Sequence, residues 1–236
     1  MDYLHWDEKI ITYFSDKTVT EMYDRGYVFT RIGKGVMHQT RSVRIDLSKF
    51  ELSSENRRVL KKMNGGAVSE NISLQSTEVP IKNYTWQLGM DAKYFYDTKF
   101  RPGIMSAQKI KEMLTDPIKS NFNQLLVYSN SPSGVAKESQ ELGYCIAHVN
   151  SSLIHYSYPF YHIDMSPKDM GLGMMTLAIE WAKAQGMKYV YLGSLQRPTD
   201  TYKLQFAGLE WFDGGKDGSQ TWSNDLEKVK NILMKK

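Results

Sequence analysis

The sequence predicts an α/β chain with a mixed, mostly antiparallel central sheet flanked by helices, together with a small basic N-terminal subdomain. Three observations predict this class. Apolar segments at 124–128, 142–149 and 153–161 follow one another as strands, and only three residues link the last two. A glycine pair, Gly171 and Gly173, then opens an amphipathic helix that runs to residue 185. A second buried strand at 187–192 follows that helix.

Composition limits the class of protein. The chain has 236 residues, of which 41% are hydrophobic and 24% charged, so it is long enough to bury a core and is not disordered. The start of the sequence lacks the pattern of a secretory signal, and no apolar run is long enough to span a membrane. We therefore expect no membrane partner and a cytoplasmic location. The single cysteine, Cys145, lies in a strand-like run and predicts a buried inert thiol, with no metal site.

Charge is distributed unevenly along the chain. Residues 25–62 contain ten Lys and Arg against three Asp and Glu, a balance of +7, whereas the whole chain carries only +4. Such asymmetry is the electrostatic footprint of a nucleic-acid partner. A solvated basic face explains the same charge, so charge alone leaves both readings open.

The basic segment has its own predicted elements. Residues 40–47 alternate as a half-buried strand with a basic outer face at Arg44, and Ser53 and Ser54 supply the cap of a short cationic helix. The run 64–67, Asn-Gly-Gly-Ala, ends that helix and marks the predicted boundary between a basic subdomain, 1–66, and a second domain, 67–236. Residues up to Pro80 are polar and are predicted to form a connector.

The remaining helices follow from caps and apolar spacing. Ser106 caps a predicted helix over 107–114, and a final helix begins at 223–224. The helix after Gly171 has a buried stripe at three- and four-residue spacing. A Gly-x-Gly turn at a helix N-terminus offers backbone amides to a phosphorylated group, although Asp169 beside it would repel a pyrophosphate.

Several separate motifs occur in a fixed order along the chain. They are Asp24-Arg25-Gly26-Tyr27, Arg44-Ile45-Asp46-Leu47, Asn56-Arg57-Arg58-Val59-Leu60-Lys61-Lys62, Gly171-Leu172-Gly173, Tyr189-x-Tyr191-Leu192-Gly193 and Tyr202-Lys203-x-x-Phe206. In this order the sequence resembles the arginyl-tRNA–protein transferases and their bacterial leucyl-transferring relatives, which are N-end-rule enzymes with a GNAT-like acyltransferase core. The resemblance spans about Asp24 to Phe206.

The resemblance implies aminoacyl transfer, such as protein arginylation, from a charged tRNA to the N-terminal α-amine of an acceptor protein. No cofactor is then needed beyond the aminoacyl-tRNA co-substrate. Because the ester donor is activated, the enzyme needs alignment, a modest base and charge stabilisation at the carbonyl oxygen. Asp164 is the candidate base, with a turn-forming aspartate as the alternative. Lys203 is the candidate for the terminal phosphate or the carbonyl oxygen, and Tyr202 is the third catalytic candidate.

Other residues take binding roles under the same resemblance. Tyr202 and Tyr191 are candidates for stacking on the terminal adenine, although Tyr191 equally fits a core position. The remaining candidates for substrate or tRNA binding are Arg57, Arg58, Lys61, Gly171, Gly173 and Gln205. For the cationic helix, tRNA phosphates, an acidic acceptor N-terminus and a merely solvated surface all remain open.

Two departures from the family and two rival functions complete the prediction. The N-terminal cysteines that hold a metal or iron–sulfur centre in many members have no counterpart here, and residues 194–200 lack the sequence motif that is usual in the family. Substrate choice is the property most exposed to the second departure. The rivals are an N-acetyltransferase using acetyl-CoA, suggested by Lys168-x-x-Gly171-x-Gly173, and a non-catalytic tRNA-binding module.

Overall fold

The computed structural model describes residues 3–63, 70–132, 139–214 and 220–235. The chain forms two compact units made of interleaved segments. Unit 1 comprises residues 1–53, 149–155 and 182–236, and unit 2 comprises residues 54–148 and 156–181. The predicted domain boundary at 64–67 lies outside the described residues, so the division into 1–66 and 67–236 stays a prediction.

Within the described residues the chain forms strands and helices in alternation. The strands are β1 (Asp7–Ile10), β2 (Tyr27–Phe29), β3 (Val36–Gln39), β4 (Ser42–Asp46), β5 (Glu70–Glu78), β6 (Gln124–Pro132), β7 (Gln140–Val149), β8 (Leu153–Tyr161), β9 (Tyr189–Ser194), β10 (Leu209–Asp213) and β11 (Thr221–Ser223). The α-helices are α1 (Asp16–Asp24), α2 (Ser54–Met63), α3 (Trp86–Lys99), α4 (Ala107–Thr115), α5 (Met170–Ala184) and α6 (Leu226–Met234). A 3₁₀ helix spans Pro198–Gln205.

Short polar side chains begin several of these helices. Ser15, Thr85, Ser106 and Asp225 each accept a hydrogen bond from the backbone N–H three residues later. Such a bond satisfies one of the amides that a helix leaves unpaired at its start. The predicted cap at Ser106 is confirmed. The final helix begins slightly later than predicted, after Asp225.

Unit 1 contains two sets of paired strands. A three-stranded antiparallel sheet has the order β1-β3-β2. In the other set the order is β11-β10-β4-β9-β8, and β9 pairs with the start of β8 in parallel. The fully buried side chains here include Tyr23, Tyr191 and Trp211.

Unit 2 contains the rest of β8 and the strand order β8-β7-β6-β5. Its helices are α2, α3, α4 and most of α5. The core of this unit is formed by residues such as Ile110, Tyr128, Ile146, Phe160 and Ala178. The predicted strand meander is confirmed, because β6, β7 and β8 are neighbours in sequence order.

The predicted fold class is confirmed by this arrangement: a mixed, mostly antiparallel sheet is flanked by helices, with the strand–helix–strand order of a GNAT-like core. The helix α5 connects β8 to β9, the parallel strands. Their ladder covers only three residue pairs, from Leu153↔Tyr189 to His155↔Tyr191, although both strands continue beyond it. The parallel pairing is thus confined to the first residues of both strands.

Two local predictions are wrong. Arg44 does not lie on a solvated outer face, because the rings of Tyr189 and Trp222 cover its guanidinium and Arg44 itself is buried. The segment predicted as a polar connector forms β5, paired with β6 over nine residues. β5 is an edge strand with mostly exposed side chains, and a polar sequence on an edge strand protects it from pairing with another chain.

No helix in the described part of the chain has both the length and the apolar character needed to cross a membrane.

Candidate functional site

The cationic helix α2 presents its basic side chains to solvent. Asn56, Val59 and Met63 are buried, and they lie three to four residues apart on one face. The exposed residues are Arg57, Arg58, Lys61 and Lys62. The helix therefore buries a narrow stripe in unit 2 and carries the predicted tRNA-binding cations outside it.

The start of α5 lies beside two of these cations. Asp169, the residue before α5, has a φ of 69°, in the left-handed region that non-glycine residues rarely adopt. A carboxylate oxygen of Asp169 lies 3.7 Å from Nζ of Lys62 and 4.0 Å from a guanidinium nitrogen of Arg58. Arg58 also forms a two-point ion pair with Glu55, which raises the pKa of the Arg58 guanidinium. The basic surface of α2 thus extends to the α5 N-terminus.

Gly171 and Gly173 lie inside the first turn of α5 rather than in a loop before it, because the helix begins at Met170. The N–H groups of Leu172 and Gly173 donate to the carbonyl oxygen of Asp169, at 3.1 and 3.0 Å. These two amides are already paired, so the predicted cradle of unpaired amides is smaller than the sequence suggested. A phosphate-binding role for the two glycines stays a prediction.

The two glycines differ in what surrounds them. A Cβ atom on Gly173 would overlap the sulfur atom of Met63, so this glycine allows α2 to pack closely against α5. A Cβ atom on Gly171 would lie 3.4 Å from a ring carbon of Tyr161, which is an ordinary contact.

We expect Gly173→Ala to lower the free energy of unfolding by about 1–3 kcal/mol, because the added methyl group overpacks the contact between α2 and α5. Gly171→Ala is the matched control and should be neutral or stabilising by up to about 1 kcal/mol, since alanine favours the helix. Urea unfolding of both variants measures the difference. Equal free energies of unfolding would show that Met63 moves aside freely.

Asp164 lies in the turn between β8 and α5. The N–H groups of Met165 and Ser166 donate to the carbonyl oxygen of His162, which closes this turn around Asp164. The Asp164 side chain is exposed. Its position allows both a turn-forming role and access to a substrate, and its role as a base stays a prediction.

The remaining predicted residues belong to unit 1. The Lys203 side chain is 9% exposed, and its ammonium donates to the carbonyl oxygens of Leu192 and Ser194 at 2.9 and 3.0 Å. Burial lowers the pKa of Lys203. The ammonium therefore holds the end of β9, and any contact with substrate must use its remaining proton.

Tyr202 and Gln205 lie on the 3₁₀ helix beside Lys203. Tyr202 is 46% exposed, so its ring is accessible for stacking, whereas the Gln205 amide donates to the carbonyl oxygen of Tyr202 at 2.7 Å. Tyr191 differs from both. Its ring is fully buried and makes edge-on contacts with Tyr23 and Trp222, so the core alternative for Tyr191 fits better than stacking on a base.

Arg44 is the centre of a cluster that the sequence did not indicate. Its guanidinium lies between the rings of Tyr189 and Trp222, 3.9 and 4.0 Å from the ring centroids. It donates to the carboxylates of Glu210 and Asp24 at 2.9 and 3.0 Å. The alternating pattern of β4 fits a half-buried strand equally well, and no signal in the sequence shows that both faces are covered.

Unit 2 also contains a cavity of about 580 Å³. Its lining includes three carboxylates, Glu78, Asp91 and Glu141, one cation, Lys82, and apolar side chains such as those of Leu88, Leu125 and Val127. None of the predicted site residues lines it. In the described part of the chain no group of three or more His, Cys, Asp or Glu side chains is arranged to bind a metal ion. Cys145 is buried, and burial raises its pKa.

No protein-family model matches the chain. The chain is 29% identical over 182 residues to an aspartate/glutamate leucyltransferase of Dinoroseobacter shibae, a match that covers 74% of this chain and 61% of the relative. It is 31% identical over 98 residues to an aspartate/glutamate leucyltransferase of Stenotrophomonas maltophilia, covering 41% of this chain and 38% of the relative. The matches thus span less than two thirds of either relative's length.

Solved structures give weaker likenesses. The structure of L-PGS from Bacillus licheniformis aligns with a TM-score of 0.47 and 12% identity, covering 92% of this chain and 70% of that one. A GCN5-related glucosamine N-acetyltransferase region of a fungal multi-domain β-N-acetylglucosaminidase aligns with a TM-score of 0.43 and 10% identity, covering 83% and 22%. The fold assignment rests on the chain's own strand order. By sequence, the chain is similar to bacterial aspartate/glutamate leucyltransferases.

Proposed function

We propose that this protein is an aminoacyl-tRNA–protein transferase that moves a leucyl group from charged tRNA to the α-amine of an acceptor protein beginning with Asp or Glu. The observation that carries the proposal is the sequence similarity to aspartate/glutamate leucyltransferases over 182 residues. We propose leucine, and not arginine, as the transferred amino acid, because both curated relatives are named leucyltransferases.

The proposed reaction is aminolysis of an ester. The α-amine nitrogen of the acceptor attacks the carbonyl carbon of the leucyl ester, the new C–N bond forms, and the C–O bond to the terminal ribose of tRNA breaks. The amine loses a proton, and the ribose oxygen gains one. Asp164 is the proposed acceptor of the amine proton, since an α-amine with an ordinary pKa of about 8 needs only a modest base.

The donor side of the proposal uses the basic surface of unit 2. Arg58 and Lys62 lie beside the α5 N-terminus, where the helix dipole also favours a negative group. Arg57 and Lys61 extend the same exposed surface along α2. Four cations along 6 residues of one helix suit the spaced phosphates of an RNA strand.

Acetyl-CoA is the less favoured donor. Its pyrophosphate would have to approach the α5 N-terminus, where the carboxylate of Asp169 repels it and already attracts Arg58 and Lys62. The amides of Leu172 and Gly173 are also occupied there.

The function is tested by incubating the protein with radiolabelled leucyl-tRNA or arginyl-tRNA and peptides that begin with Asp, Glu, Arg or Lys. Labelled product is expected from leucyl-tRNA with the Asp and Glu peptides. Acetyl transfer from acetyl-CoA, with no product from either tRNA, would overturn the proposal. Binding of tRNA without product on any peptide would favour a non-catalytic module.

We expect Arg58→Ala/Lys62→Ala to weaken tRNA binding and to reduce the slope of log K against log salt concentration by about 2, roughly one for each lost phosphate contact. The control, Lys111→Ala/Lys119→Ala, removes two exposed lysines from α4 and the turn after it in the same unit. Filter binding across a salt series measures both. If Arg58→Ala/Lys62→Ala and its control had the same tRNA affinity and salt slope, α2 would not be part of the tRNA-binding surface.

A further inference from the structure

The segment Tyr3–Trp6 is held through its main chain as it leads into β1. The Leu4 N–H donates to Oε1 of Gln196 at 2.8 Å, and Nε2 of Gln196 donates to the Leu4 carbonyl oxygen at 3.1 Å. Thr40 Oγ1 donates to the same carbonyl oxygen at 2.6 Å, and the Trp6 N–H donates to the carbonyl oxygen of Gln39 at 2.8 Å. Bonds of this kind accept any residue type except proline at position 4, because they involve no side chain of the segment.

Most of the segment's side chains remain in contact with solvent. Tyr3 is 48% exposed, His5 is exposed and Leu4 is half-buried. Tyr3 contacts Ser194 Oγ at 3.2 Å through its hydroxyl group. Trp6 is the apolar anchor, since its ring packs against Gly214. The rings of Tyr3 and His5 also contact the ring of His38, at centroid distances of 5.9 and 4.5 Å. Because residues 3–5 stay partly or largely exposed, release of this segment costs less than global unfolding.

The receiving side, here called the slot, consists of Thr40, Ser194 and Gln196. Nε2 of Gln196 also lies 2.9 and 3.0 Å from the hydroxyl oxygens of Thr40 and Ser194, so its two protons are shared among these oxygens and the Leu4 carbonyl oxygen. These bonds orient the Gln196 amide whether or not Leu4 is present. The slot is therefore organised in advance for a peptide group.

The buried side chains of Asp200 and Lys203 hold the backbone on which two of the slot residues lie. A carboxylate oxygen of Asp200 accepts the N–H groups of Gln196 and Arg197, at 2.8 and 2.9 Å. The ammonium of Lys203 donates to the carbonyl oxygen of Ser194. Asp200 and Lys203, which the sequence places in the substrate-determining segment and among the catalytic candidates, thus hold the backbone that carries the slot side chains.

We propose that the slot is a binding site for the main chain of an extended peptide, filled here by the chain's own Leu4, and that the N-terminal segment of the acceptor protein occupies it during transfer. The second part rests on the proposed function. The chain's own segment is then a competitor that leaves when the acceptor binds.

The test uses Leu4→Pro, which removes the N–H that donates to Gln196, and the control variant Tyr13→Ala, which changes a side chain that is 71% exposed and lies outside the segment. Steady-state kinetics with leucyl-tRNA and a Glu-initiated octapeptide give KM for each substrate. We expect Leu4→Pro to lower the KM for the peptide by about three- to tenfold, with KM for leucyl-tRNA unchanged, because the self-competitor is released. Tyr13→Ala should match the wild type.

A second measurement does not depend on activity. The octapeptide, labelled at its C-terminus, is titrated with each protein and its fluorescence anisotropy is recorded. We expect tighter binding to Leu4→Pro than to wild type, loss of that gain in Leu4→Pro/Gln196→Glu, and competition by a free peptide with the sequence Tyr-Leu-His-Trp. If Leu4→Pro does not fold, Tyr3→Ala serves instead, since it loosens the segment and leaves the slot intact.

Equal peptide affinity in the wild type and in Leu4→Pro (or Tyr3→Ala) would overturn the proposal that the slot binds the acceptor, as would failure of the Tyr-Leu-His-Trp peptide to compete. A fall in thermal stability with no change in peptide KM would mean that the segment is only structural. Absence of transfer from any aminoacyl-tRNA would overturn the proposed function, but it would leave the anisotropy result standing as evidence about the slot.

Discussion

Arg44→Met is expected to lower the free energy of unfolding by about 3–5 kcal/mol, the usual cost of removing one partner from a buried ion pair. The Arg44 guanidinium bonds to the carboxylate of Glu210, which is largely buried, and to that of Asp24, which is half exposed, so the cost comes mainly from the pair with Glu210. Its flat faces also fill the space between Tyr189 and Trp222. Methionine fills part of that space but leaves the Glu210 carboxylate without its charged donor. Arg44→Lys should recover only part of the loss, because an ammonium cannot bridge two carboxylates and stack between two rings.

Lys49→Ala is the matched control for this prediction. Lys49 contacts the same carboxylate, Glu210, at 3.3 Å, but its side chain is 61% exposed. Exposed ion pairs contribute little to stability because water and salt screen them. Urea unfolding followed by tryptophan fluorescence compares the variants. If Arg44→Met were as stable as Lys49→Ala, the Arg44 cluster would not be what holds β4, β9 and β10 together.

The sequence was sufficient for elements whose signals are local. The strands β6, β7 and β8 are apolar and separated by short links, and the Ser106 cap is a matter of four adjacent residues. β5 was missed because an edge strand needs no apolar alternation, so its polar sequence looks like that of a connector. Arg44 was misjudged for a related reason. The second face of β4 is covered by the rings of Tyr189 and Trp222, which lie roughly 140 to 180 residues later in the chain.

The candidate site was predictable only in part. The exposed cations of α2 followed from a helical pattern and a charge count, and Arg58 and Lys62 do lie beside the start of α5. The position of Gly171 and Gly173 within α5 was not predictable from the sequence, because a shift of one residue in the helix start decides whether a glycine precedes the helix or lies within its first turn. The bonds of Lys203 to the backbone, and the slot formed by Gln196, arise from contacts between distant segments that spacing along the chain does not encode.

Lys203→Met is expected to lower the free energy of unfolding by about 2 kcal/mol, because two buried carbonyl oxygens lose their donor. The loss should be accompanied by lower transfer activity, since the end of β9 and residues 194–197 are no longer held. Lys183→Met is the control. Its ammonium also donates to a backbone carbonyl oxygen, that of Phe50, but only to one. Activity that falls in Lys203→Met without any loss of stability would instead assign the Lys203 ammonium a direct role in the reaction.

The pH dependence separates the charge of Lys203 from its bonds. Burial lowers the pKa of Lys203 in the folded protein below its ordinary value of 10.5, so the unfolded chain binds the proton more tightly. Between the two pKa values the unfolded state carries more protons, and the stability of the wild type therefore rises as the pH increases through that window. Below it the full cost of the buried charge is present. The free energy of unfolding of the wild type minus that of Lys203→Met should thus increase as the pH approaches 10.5 from below. A difference that stays constant would show that the carbonyl partners of the Lys203 ammonium compensate its burial completely, and a decreasing difference would show that the folded protein favours the charged form.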